Sequence, residues 1–410
     1  MKDSGVDWIG RIPESWQVGK FRHLFTESKE VNGKNPVGEM LSVSGYRGVE
    51  LKEYSSDSLK RDQEDLETYR VVRPGQLAVN TMWLNYAGLG VSELIGHVSP
   101  AYRSYWIDEK INPRFAHHLM RSQIYVNAYT GYLTGVRPNS LQMSRENLMN
   151  WPVLLPEMSE QQAIAEYLDR ETAQIDELIA KQEQLIETLN ERRNTYLIKM
   201  FSMPATGTET GWSFIPLKHL VTAVAGGTPE SDNEEYWADQ GLPWISIGDM
   251  SQVKLVTETK RRVTKAGIES KKLFIGQPGT VLFAMYASVG ETSILGVEAT
   301  WNQAILGMVP ISGRTSSSFL QRTLEAHKHL WNLYANSNTQ FNLNRESTLA
   351  LKLPIPDMAE QLRIVNAMNE YESAIDPLIK RANKMVELLS ERRQALISAA
   401  VTGKIDVWGK

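Results

Sequence analysis

One segment occurs twice, at an offset of 200 residues and without a gap, and it constrains the fold of this chain more than any other feature. Pro156-Glu157-Met158-Ser159-Glu160-Gln161 is matched by Pro356-Asp357-Met358-Ala359-Glu360-Gln361, and the match continues to Glu191-Arg192-Arg193 and Glu391-Arg392-Arg393. Self-similarity at a fixed offset is the signature of a repeated architecture. We therefore predict that the chain is a tandem duplication.

The segments that precede the two copies are also related, though less closely. Pro74-Gly75 precedes the apolar run Leu77-Ala78-Val79, and Pro278-Gly279 precedes Val281-Leu282-Phe283. Each pair predicts a turn that leads into a buried strand. The predicted fold class is α+β, with two α/β modules and two long helical regions in a pseudo-twofold tandem repeat. The predicted domains are residues 1–156, 157–203, 204–356 and 357–410.

Both helical regions carry a heptad pattern. Residues 159–200 contain neither Pro nor Gly, and apolar residues recur at steps of three and four, which is typical of a coiled coil. The predicted seam consists of Ile175, Leu178, Leu185 and Leu189 in the first copy and of Ile375, Leu378, Met385 and Leu389 in the second. Because each apolar stripe needs a cover, we predict that the two long helices pack against each other. The alternative is that each helix packs on its own module.

Charged and capping residues add detail to this prediction. Asp376-Pro377 has the residues of a helix start, because Asp is a favoured N-cap and Pro is favoured at the first helical position. Each helical region is therefore predicted to contain a short helix, a bend and a long helix. We interpret Arg192-Arg193 and Arg392-Arg393 as ion-pair partners of neighbouring acids within the coil.

The composition excludes several classes of protein. Cysteine is absent, which rules out disulfides, thiolate zinc sites and a cysteine nucleophile, and we expect a cytoplasmic location. Residues 1–16 lack the apolar core of a signal peptide, and no apolar run approaches the roughly 18 residues of a membrane span. The helical segments 157–200 and 357–400 contribute −6 to the net charge of −4, so the remainder is mildly basic. An ordinary mixed surface explains that charge equally well.

Motifs of catalytic sites are missing. The sequence has no GxxxxGK[ST] phosphate loop and no GxGxxG motif. Asn112-Pro113-Arg114-Phe115 is faintly similar to the Asn-Pro-Pro-Phe motif of amino-methyltransferases, but it lacks the second Pro. We interpret it as the start of an amphipathic helix that contains Phe115, Leu119 and Ile124.

Candidate metal and phosphate ligands have simpler interpretations. His117-His118, His327 and His329 lack an HExxH frame, so we predict surface histidines and no metal site. Asp108-Glu109-Lys110 is interpreted as a solvated turn, and Gly226-Gly227-Thr228-Pro229 as a structural turn because no Lys follows it.

Several motifs together resemble the specificity subunits of type I restriction–modification systems. The similar segments are Asp3 to Trp16, Gly226-Gly227-Thr228-Pro229, Tyr236-Trp237, Gly241-Leu242-Pro243-Trp244, Gly248-Asp249-Met250, the repeated Pro-x-Met-x-Glu-Gln helix and Val401-Thr402-Gly403-Lys404-Ile405. They cover essentially the whole chain, and their order also matches. The first module departs from the pattern, because it has Val43 to Gly48 in place of the Gly-Gly-Thr-Pro signature.

The resemblance implies a function without catalysis. Each module is expected to be a target recognition domain that reads one half of a bipartite, asymmetric DNA sequence. The helical regions are expected to form an antiparallel coiled coil that sets the spacer and docks two modification subunits, which bind S-adenosylmethionine. The resemblance also allows for up to two restriction subunits, and this chain itself is expected to bind no cofactor. A helix of about 25 residues spans roughly 37 Å, close to one turn of DNA.

Base reading requires polar side chains on rigid loops, and the two modules offer several such loops. The candidate DNA-binding residues are Tyr46, Arg47, Thr81, Asn85, Tyr86, Arg137, Asn139 and Ser140 in the first module and Tyr286, Ser288, Asn302, Gln303, Asn338, Thr339 and Gln340 in the second. Two simpler interpretations remain open: Trp83 in the core, and Asn302 as a turn cap.

Three other functions remain open at this point. A single-chain restriction–methylation enzyme would need the methyltransferase motifs that are missing here. A protein–protein scaffold, with two heads on a coiled coil, agrees with the negative net charge, and it would lack salt-dependent DNA binding. An orphan or phase-variable specificity chain would use different partner subunits.

Overall fold

The computed structural model describes residues 1–53, 66–134, 142–202, 212–251, 253–286, 288–329, 331 and 343–407. The chain divides into two compact units, which we call unit 1 (residues 1–183 and 383–410) and unit 2 (residues 184–382). Each unit therefore contains one module and parts of both long helices. This division differs from the four consecutive domains expected from the sequence, because residues from both ends of the chain meet in unit 1.

The module of unit 1 contains two four-stranded sheets, with the strand orders β6-β5-β10-β7 and β4-β11-β8-β9. Its strands are β1 (Lys2–Asp3), β2 (Arg11–Ile12), β3 (Gln17–Lys20), β4 (Phe25–Ser28), β5 (Glu39–Ser44), β6 (Gly48–Leu51), β7 (Arg70–Val72), β8 (Leu77–Asn80), β9 (Leu89–Val91), β10 (Gly96–Val98), β11 (Tyr102–Ile107), β12 (Leu133–Thr134), β13 (Gln142–Met143) and β14 (Pro152–Leu155). Its helices are α1 (Pro113–Arg121), α2 (Gln123–Thr130) and α3 (Arg145–Met149).

The module of unit 2 has a five-stranded sheet, ordered β16-β23-β20-β21-β18, and a three-stranded sheet, ordered β19-β17-β22. Its strands are β15 (Ser213–Pro216), β16 (Val221–Ala225), β17 (Trp237–Ile245), β18 (Leu255–Val256), β19 (Arg261–Val263), β20 (Val281–Ala284), β21 (Thr292–Leu295), β22 (Thr300–Trp301), β23 (Ile305–Pro310) and β24 (Lys352–Ile355). Its helices are α5 (Ile247–Met250), α6 (Lys265–Lys271), α7 (Ser317–Ala326) and α8 (Arg345–Ala350).

The same strand pairing closes both modules. β3 pairs antiparallel with β14, and β15 pairs in the same way with β24, so in each module an early strand pairs with the last strand. The predicted turns before the buried strands are confirmed. Gly75 (φ 84°) precedes β8 and Gly279 (φ 92°) precedes β20, and both have the positive φ that glycine adopts without steric cost.

The long helices are α4 (Met158–Phe201) and α9 (Met358–Val401), and each contains 44 residues. In unit 1, Ile175 and Ile179 of α4 pack with Leu389 of α9. In unit 2, Tyr196 stacks on Tyr371 with ring centroids 4.0 Å apart. Within each unit the two helix segments run antiparallel, because later residues of α4 contact earlier residues of α9.

The predicted seam was wrong at four positions. Leu178, Leu185, Leu378 and Met385 are each 44–47% exposed. In unit 1 the helix contact uses Ile179, which is 7% exposed, instead of its neighbour Leu178. Adjacent helical residues point about 100° apart, so two neighbouring apolar side chains cannot both face the same partner helix. Ile175, Leu189 and Leu389 are buried, and Ile375 is half-buried.

The predicted helix start at Asp376-Pro377 was also wrong, because α9 continues through these residues. A proline inside a helix removes one backbone hydrogen bond, at a cost of about 3 kcal/mol, which tertiary packing has to offset. The start of each helix supplies that packing within its own unit. Ile164 and Leu168 belong to the core of the first module, and Ile364 and Met368 belong to the core of the second. The long helices therefore pack both against each other and on the modules, so both of the packing arrangements considered from the sequence are present.

The C-terminal end of α9 completes the core of the first module. Ile397, Ala400 and Val401 lie in the same buried cluster as Trp16. Gly403 follows with φ 68°, and a Cβ atom at this position would lie 2.4 Å from Cγ of Pro13. Within the described ranges, none of the helices combines the length and the apolarity that crossing a membrane requires.

Candidate nucleic-acid interface

The repeated glutamine of the Pro-x-Met-x-Glu-Gln segment anchors each module to its long helix. In unit 1 the Gln161 side chain accepts a hydrogen bond from the Asn112 amide (2.8 Å), and it donates to the Lys110 and Pro156 carbonyls at 3.1 and 2.9 Å. Asn112 is the N-cap of α1, and its side chain accepts from the next two backbone amides of the helix. The motif that resembles a methyltransferase motif is therefore a helix cap, as expected.

Unit 2 repeats this arrangement. Gln361 accepts from the amide of Ser316, the N-cap of α7, at 3.2 Å, and it donates to the Arg314 and Pro356 carbonyls. Gln161 and Gln361 are 1% and 0% exposed. A buried amide that pairs three backbone groups explains why both copies carry glutamine, although the sequence analysis noted only the repetition.

Two loops of unit 1 carry five of its candidate residues. We call residues 43–47 the first loop and residues 81–88 the second loop. They lie in close contact, because a Cβ atom on Gly45 would be 2.5 Å from the Tyr86 carbonyl oxygen. Within the second loop, Gly88 donates to the Trp83 carbonyl at 2.8 Å. This compactness makes the two loops a rigid platform.

Arg121, at the end of α1, donates hydrogen bonds to backbone carbonyls of both loops. Its Nη1 donates to the Ser44 and Ala87 carbonyls at 3.2 and 3.1 Å and also to the Leu89 carbonyl, and its Nη2 donates to the Gly45 carbonyl at 2.9 Å. Arg121 is only 9% exposed. Burial, with the nearby charge of Arg393, lowers the pKa of Arg121 to about 10, so it remains charged at neutral pH.

The outer side of the platform is aromatic and polar. Trp83 and Tyr86 are 51% and 62% exposed, and their ring centroids lie 5.3 Å apart. They line an open cavity of about 700 Å³ together with Asn85. Among the described residues, Asn85 Oδ1 is a buried acceptor without a hydrogen-bond partner. Trp83 is therefore a surface residue, and the interpretation of it as core was wrong.

Tyr46 and Arg47 of the first loop have partners within unit 1. The Tyr46 hydroxyl donates to Asp176 of α4, and the Arg393 guanidinium lies over the Tyr46 ring at 4.7 Å. Burial and the Asp176 carboxylate raise the pKa of Tyr46 to about 12. Arg47 forms an ion pair with Glu50 at 2.5 Å. Tyr46 thus fastens the first loop to the long helices.

Thr81 does not belong to the exposed surface. It is 7% exposed, its hydroxyl accepts from Gln142 Nε2 at 3.0 Å, and its carbonyl accepts from the Met143 amide. The expectation that Thr81 reads a base is corrected by this burial. Its role is to join the second loop to β13.

The prediction of surface histidines fails for His117 and His118. His118 Nε2 lies 2.6 Å from Asp169 Oδ1, and burial with the charge of Arg393 lowers the pKa of His118 to about 3. Arg114 pairs with the same carboxylate. The negative charge of Asp169 is therefore shared with Arg114 and stabilises a protonated His118 ring less.

His117 is also held in the neutral form. Its Nδ1 accepts from the Val91 amide at 3.2 Å, and burial lowers the pKa of His117 well below its ordinary value. Helix α1 ends at Arg121 because Ser122 leaves the helical conformation, so Ile124 belongs to α2.

In unit 2 the Gly-Gly-Thr-Pro segment is folded against β22. A Cβ atom on Gly226 would lie within 2.4 Å of the Trp301 ring and carbonyl, so only glycine fits there. The Gly227 carbonyl accepts from Trp244 Nε1 at 3.0 Å. The Thr228 hydroxyl then donates to the Gln303 side chain, which is exposed. The structural turn predicted from the sequence therefore supports the candidate residue Gln303.

Asn302 and the loop after β20 form hydrogen bonds within unit 2. Asn302 Oδ1 accepts from the Ala304 amide at 3.0 Å, so Asn302 caps a turn. Tyr286 is 38% exposed, and its carbonyl accepts from the Ser288 amide. Of the candidate residues, Arg137, Asn139, Ser140, Asn338, Thr339 and Gln340 lie outside the described residues.

A basic and aromatic surface of unit 2 was missed by the sequence analysis. The Arg261 guanidinium lies 3.6 Å from the ring centroid of Trp237; Arg262 follows it on β19, and Lys260 directly precedes this strand. These residues line an open cavity of about 420 Å³. The run Lys260-Arg261-Arg262 could have indicated this surface, but its stacking partner Trp237 is distant in sequence.

Ligands for a metal do not converge in the described ranges, where no group of three or more His, Cys, Asp or Glu side chains is placed to hold an ion. The arrangement offers instead exposed rings, amides and cations on two separate modules. Exposed rings and cations of this kind can bind the bases and phosphates of nucleic acid.

Comparison with known proteins finds similar sequences in one family. Residues 209–388 match the family model of the type I restriction modification DNA specificity domain. The chain is 22% identical over 313 residues to the specificity subunit of the type I restriction enzyme StySPI from Salmonella potsdam, covering 72% of this chain and 66% of that protein. It is 25% identical over 207 residues to the EcoKI specificity subunit of Escherichia coli, covering 48% and 43%. The chain thus spans less than two thirds of the length of these relatives.

The fold has a solved counterpart as well. A structure concerned with complex assembly and conformational transition of the type I R-M system superimposes with a TM-score of 0.73 at 16% identity. That similarity covers 96% of this chain and 100% of the other chain. The family model that matches residues 209–388 and the relatives named above are those of DNA specificity subunits of type I restriction enzymes, and this chain is similar to them in sequence and in fold.

Proposed function

We propose that this chain selects the DNA target of a type I restriction–modification complex, with each module reading one half of a bipartite, asymmetric sequence. One observation carries the proposal: each compact unit has its own exposed surface, and the two surfaces differ. Unit 1 presents the rings of Trp83 and Tyr86, whereas unit 2 presents Arg261 on Trp237. Different side chains recognise different base edges, so two unlike surfaces suit two unlike half-sites.

The long helices are proposed to set the spacer between the half-sites and to dock the modification subunits. A continuous helix of 44 residues is about 66 Å long, enough to extend past one turn of DNA. Its exposed apolar side chains recur at equivalent positions of the repeat, as Leu178 and Leu378 do. Two equivalent apolar patches suit two copies of one partner.

We further propose that this chain contributes recognition and no catalysis. S-adenosylmethionine and the methyl transfer would be supplied by two modification subunits. ATP hydrolysis and cleavage would be supplied by up to two restriction subunits. This division of labour agrees with the missing catalytic motifs in the sequence.

The test is the methylome of a methylation-free bacterial host that expresses this chain with its neighbouring modification subunit. We expect a split, asymmetric motif that disappears when this chain is omitted. If a stable complex produces no new methylation and binds DNA without salt dependence, the recognition role is wrong and the scaffold function gains support.

The spacer role has a separate test. Deletion of seven residues from the middle of each long helix shortens each by roughly 10 Å, equivalent to about three base pairs of duplex. We expect a spacer that changes while both half-sites stay the same, as read from the methylome of the variant. An unchanged spacer in an active complex would refute the proposal that the long helices set the spacer.

A further inference from the structure

We propose that Arg121 is a positioning residue for the first half-site: it locks the first and second loops of unit 1 into one recognition element. This inference rests on the proposed function and adds a specificity determinant that touches no base. Arg121 lies on α1, far in sequence from both loops. Its guanidinium binds only backbone oxygens in them, so its effect on recognition passes through loop geometry.

The hydrogen bonds define the lock. Nη1 and Nη2 of Arg121 reach the carbonyls of Ser44 and Gly45 in the first loop and those of Ala87 and Leu89 in and after the second. A planar guanidinium can serve several acceptors at once in a fixed geometry, whereas a lysine ammonium is a point charge on a flexible stem. Arg121 therefore fixes the distance between the loops as well as their conformation.

The backbone at this site needs the support. Ala87 has φ 53°, a left-handed conformation that residues with a Cβ rarely adopt. Its carbonyl is one of the acceptors of Arg121. The loops also touch directly, since a Cβ atom on Gly45 would lie 2.5 Å from the Tyr86 carbonyl. The exposed rings of Trp83 and Tyr86 lie on the same short segment, so a shift of this segment moves them.

Unit 2 provides an internal contrast. Counting from the N-cap residues Asn112 and Ser316, the position equivalent to Arg121 is Glu325, which cannot donate these hydrogen bonds. The loop after β20 is held instead by the backbone pair from Met285 to Ala304 and by the ion pair of Lys328 with Glu291. Loss of the Arg121 lock should therefore affect one half-site alone.

The experiment compares Arg121→Lys with the unmodified chain, each co-expressed with the modification subunit in a methylation-free host. The methylome of the unmodified chain first defines both half-sites; failure at that stage refutes the proposed function and not the lock. Discrimination is then measured by binding of the purified complex to duplexes with one base pair changed in either half. For Arg121→Lys we expect discrimination in the first half-site to fall about 10-fold, with the second half-site within about 2-fold.

Arg322→Lys is the matched control, because Arg322 is also a buried arginine of a module helix and its side chain donates to Glu372 and Asn369 of unit 2. It should leave the first half-site unchanged. Unchanged discrimination in Arg121→Lys, with only a lower melting temperature, would overturn the proposal. If that variant fails to form a complex, Gly45→Ala decides, because its Cβ pushes the loops apart while Arg121 stays. A relaxed first half-site supports the lock, and an unchanged one overturns it.

Discussion

The two compact units are built from the same repeat, yet they bind their module helix to the long helices with different chemistry. His118 of α1 and Arg322 of α7 both lie six residues after the N-cap of their helix. In unit 1 the neutral His118 ring lies 2.6 Å from Asp169. In unit 2 Arg322 donates to Asn369 at 2.8 Å and to Glu372 at 2.7 and 3.0 Å.

The difference shows that the duplication has preserved geometry and exchanged charge. Glu372 is 8% exposed and is paired with both Arg322 and Lys254. Burial acts to raise the pKa of Glu372, but the hydrogen bonds from Arg322 and Lys254 outweigh it and keep the pKa below its ordinary value. Unit 2 therefore depends on a buried ion cluster, whereas unit 1 depends on neutral histidines.

The largest effect is expected when the buried cluster of unit 2 loses the carboxylate of Glu372. Glu372→Gln removes the carboxylate that pairs with both Arg322 and Lys254, and removal of one member of a buried ion pair costs about 3–5 kcal/mol. We expect this loss in the free energy of unfolding of unit 2, measured by urea titration with hydrogen exchange on peptides of each unit. Glu370→Gln, on the exposed side of the same helix, should change it by less than about 0.5 kcal/mol.

A loss below about 1 kcal/mol in Glu372→Gln would mean that Arg322 finds water or another acceptor. The contrast between the units would then be one of geometry alone. Peptides of unit 1 serve as the internal reference, because they contain neither Glu372 nor Arg322.

Substitution of the repeated glutamines should affect both units alike. Gln161→Ala and Gln361→Ala each leave three backbone groups without their partner, and a buried unpaired group costs about 1–3 kcal/mol. We expect similar losses in the unfolding free energy of unit 1 and of unit 2. Gln162→Ala is the control, because Gln162 is exposed and its side chain donates to the exposed Glu166 at 3.0 Å. Unequal losses would show that the two anchors have diverged in strength.

Acid should destabilise unit 1 before unit 2. In the folded chain the pKa of His117 is lowered, and that of His118 is lowered to about 3. Below about pH 6.5 these histidines therefore bind protons in the unfolded chain but not in the folded chain, so acid favours unfolding. The titration of His118 alone should lower the free energy of unfolding of unit 1 by about 2 kcal/mol between pH 7 and pH 5. The contribution of Glu372 persists until the pH falls below about 4.5, since its folded pKa is lowered.

Hydrogen exchange at pH 7, 6 and 5, corrected for the intrinsic exchange rate, measures this difference. Unit 2 contains one half-buried histidine with a lowered pKa, His327, so its own loss should be smaller. His117→Asn keeps an acceptor for the Val91 amide and removes one titrating group. It should reduce the pH dependence of unit 1, and an unaltered slope would contradict the role of His117.

The same comparison shows what the sequence could predict. The ungapped offset of 200 residues revealed the duplication and both long helices, because ungapped repetition and heptad spacing are properties of the sequence itself. The choice between Leu178 and Ile179 depended on packing that periodicity cannot resolve. Pro377 has the pattern of a helix start, but tertiary contacts keep α9 continuous.

The candidate interface was harder to predict than the fold. The exposed loop residue Tyr86 and its half-buried neighbour Asn85 could be selected by composition. The burial of Thr81 could not, because it depends on Gln142, 61 residues away. Arg121 was missed since its partners are backbone oxygens, which leave no mark on the sequence of the loops that they belong to.

The smallest expected difference concerns two ion pairs that the repeat relates to each other. The predicted ion pairing of the arginines within the coil is confirmed for Arg193, 3.6 Å from Asp376, and for Arg393, 2.8 Å from Asp176. The first pair is half-exposed, and an exposed pair contributes at most about 0.5 kcal/mol. Arg393 is more buried and also lies over the Tyr46 ring, which adds a cation–π interaction of roughly 0.5–1 kcal/mol.

Arg393→Gln should therefore destabilise unit 1 by about 1 kcal/mol, and Arg193→Gln should change unit 2 by less than about 0.5 kcal/mol. A double-mutant cycle of Arg393→Gln with Tyr46→Leu, followed by hydrogen exchange of unit 1, isolates the part that passes through the ring. A coupling energy near zero would assign the whole difference to the carboxylate of Asp176. A coupling of about 0.5 kcal/mol or more would show that the first loop gains part of its rigidity from the long helix, an interaction acquired by one copy of the repeat alone.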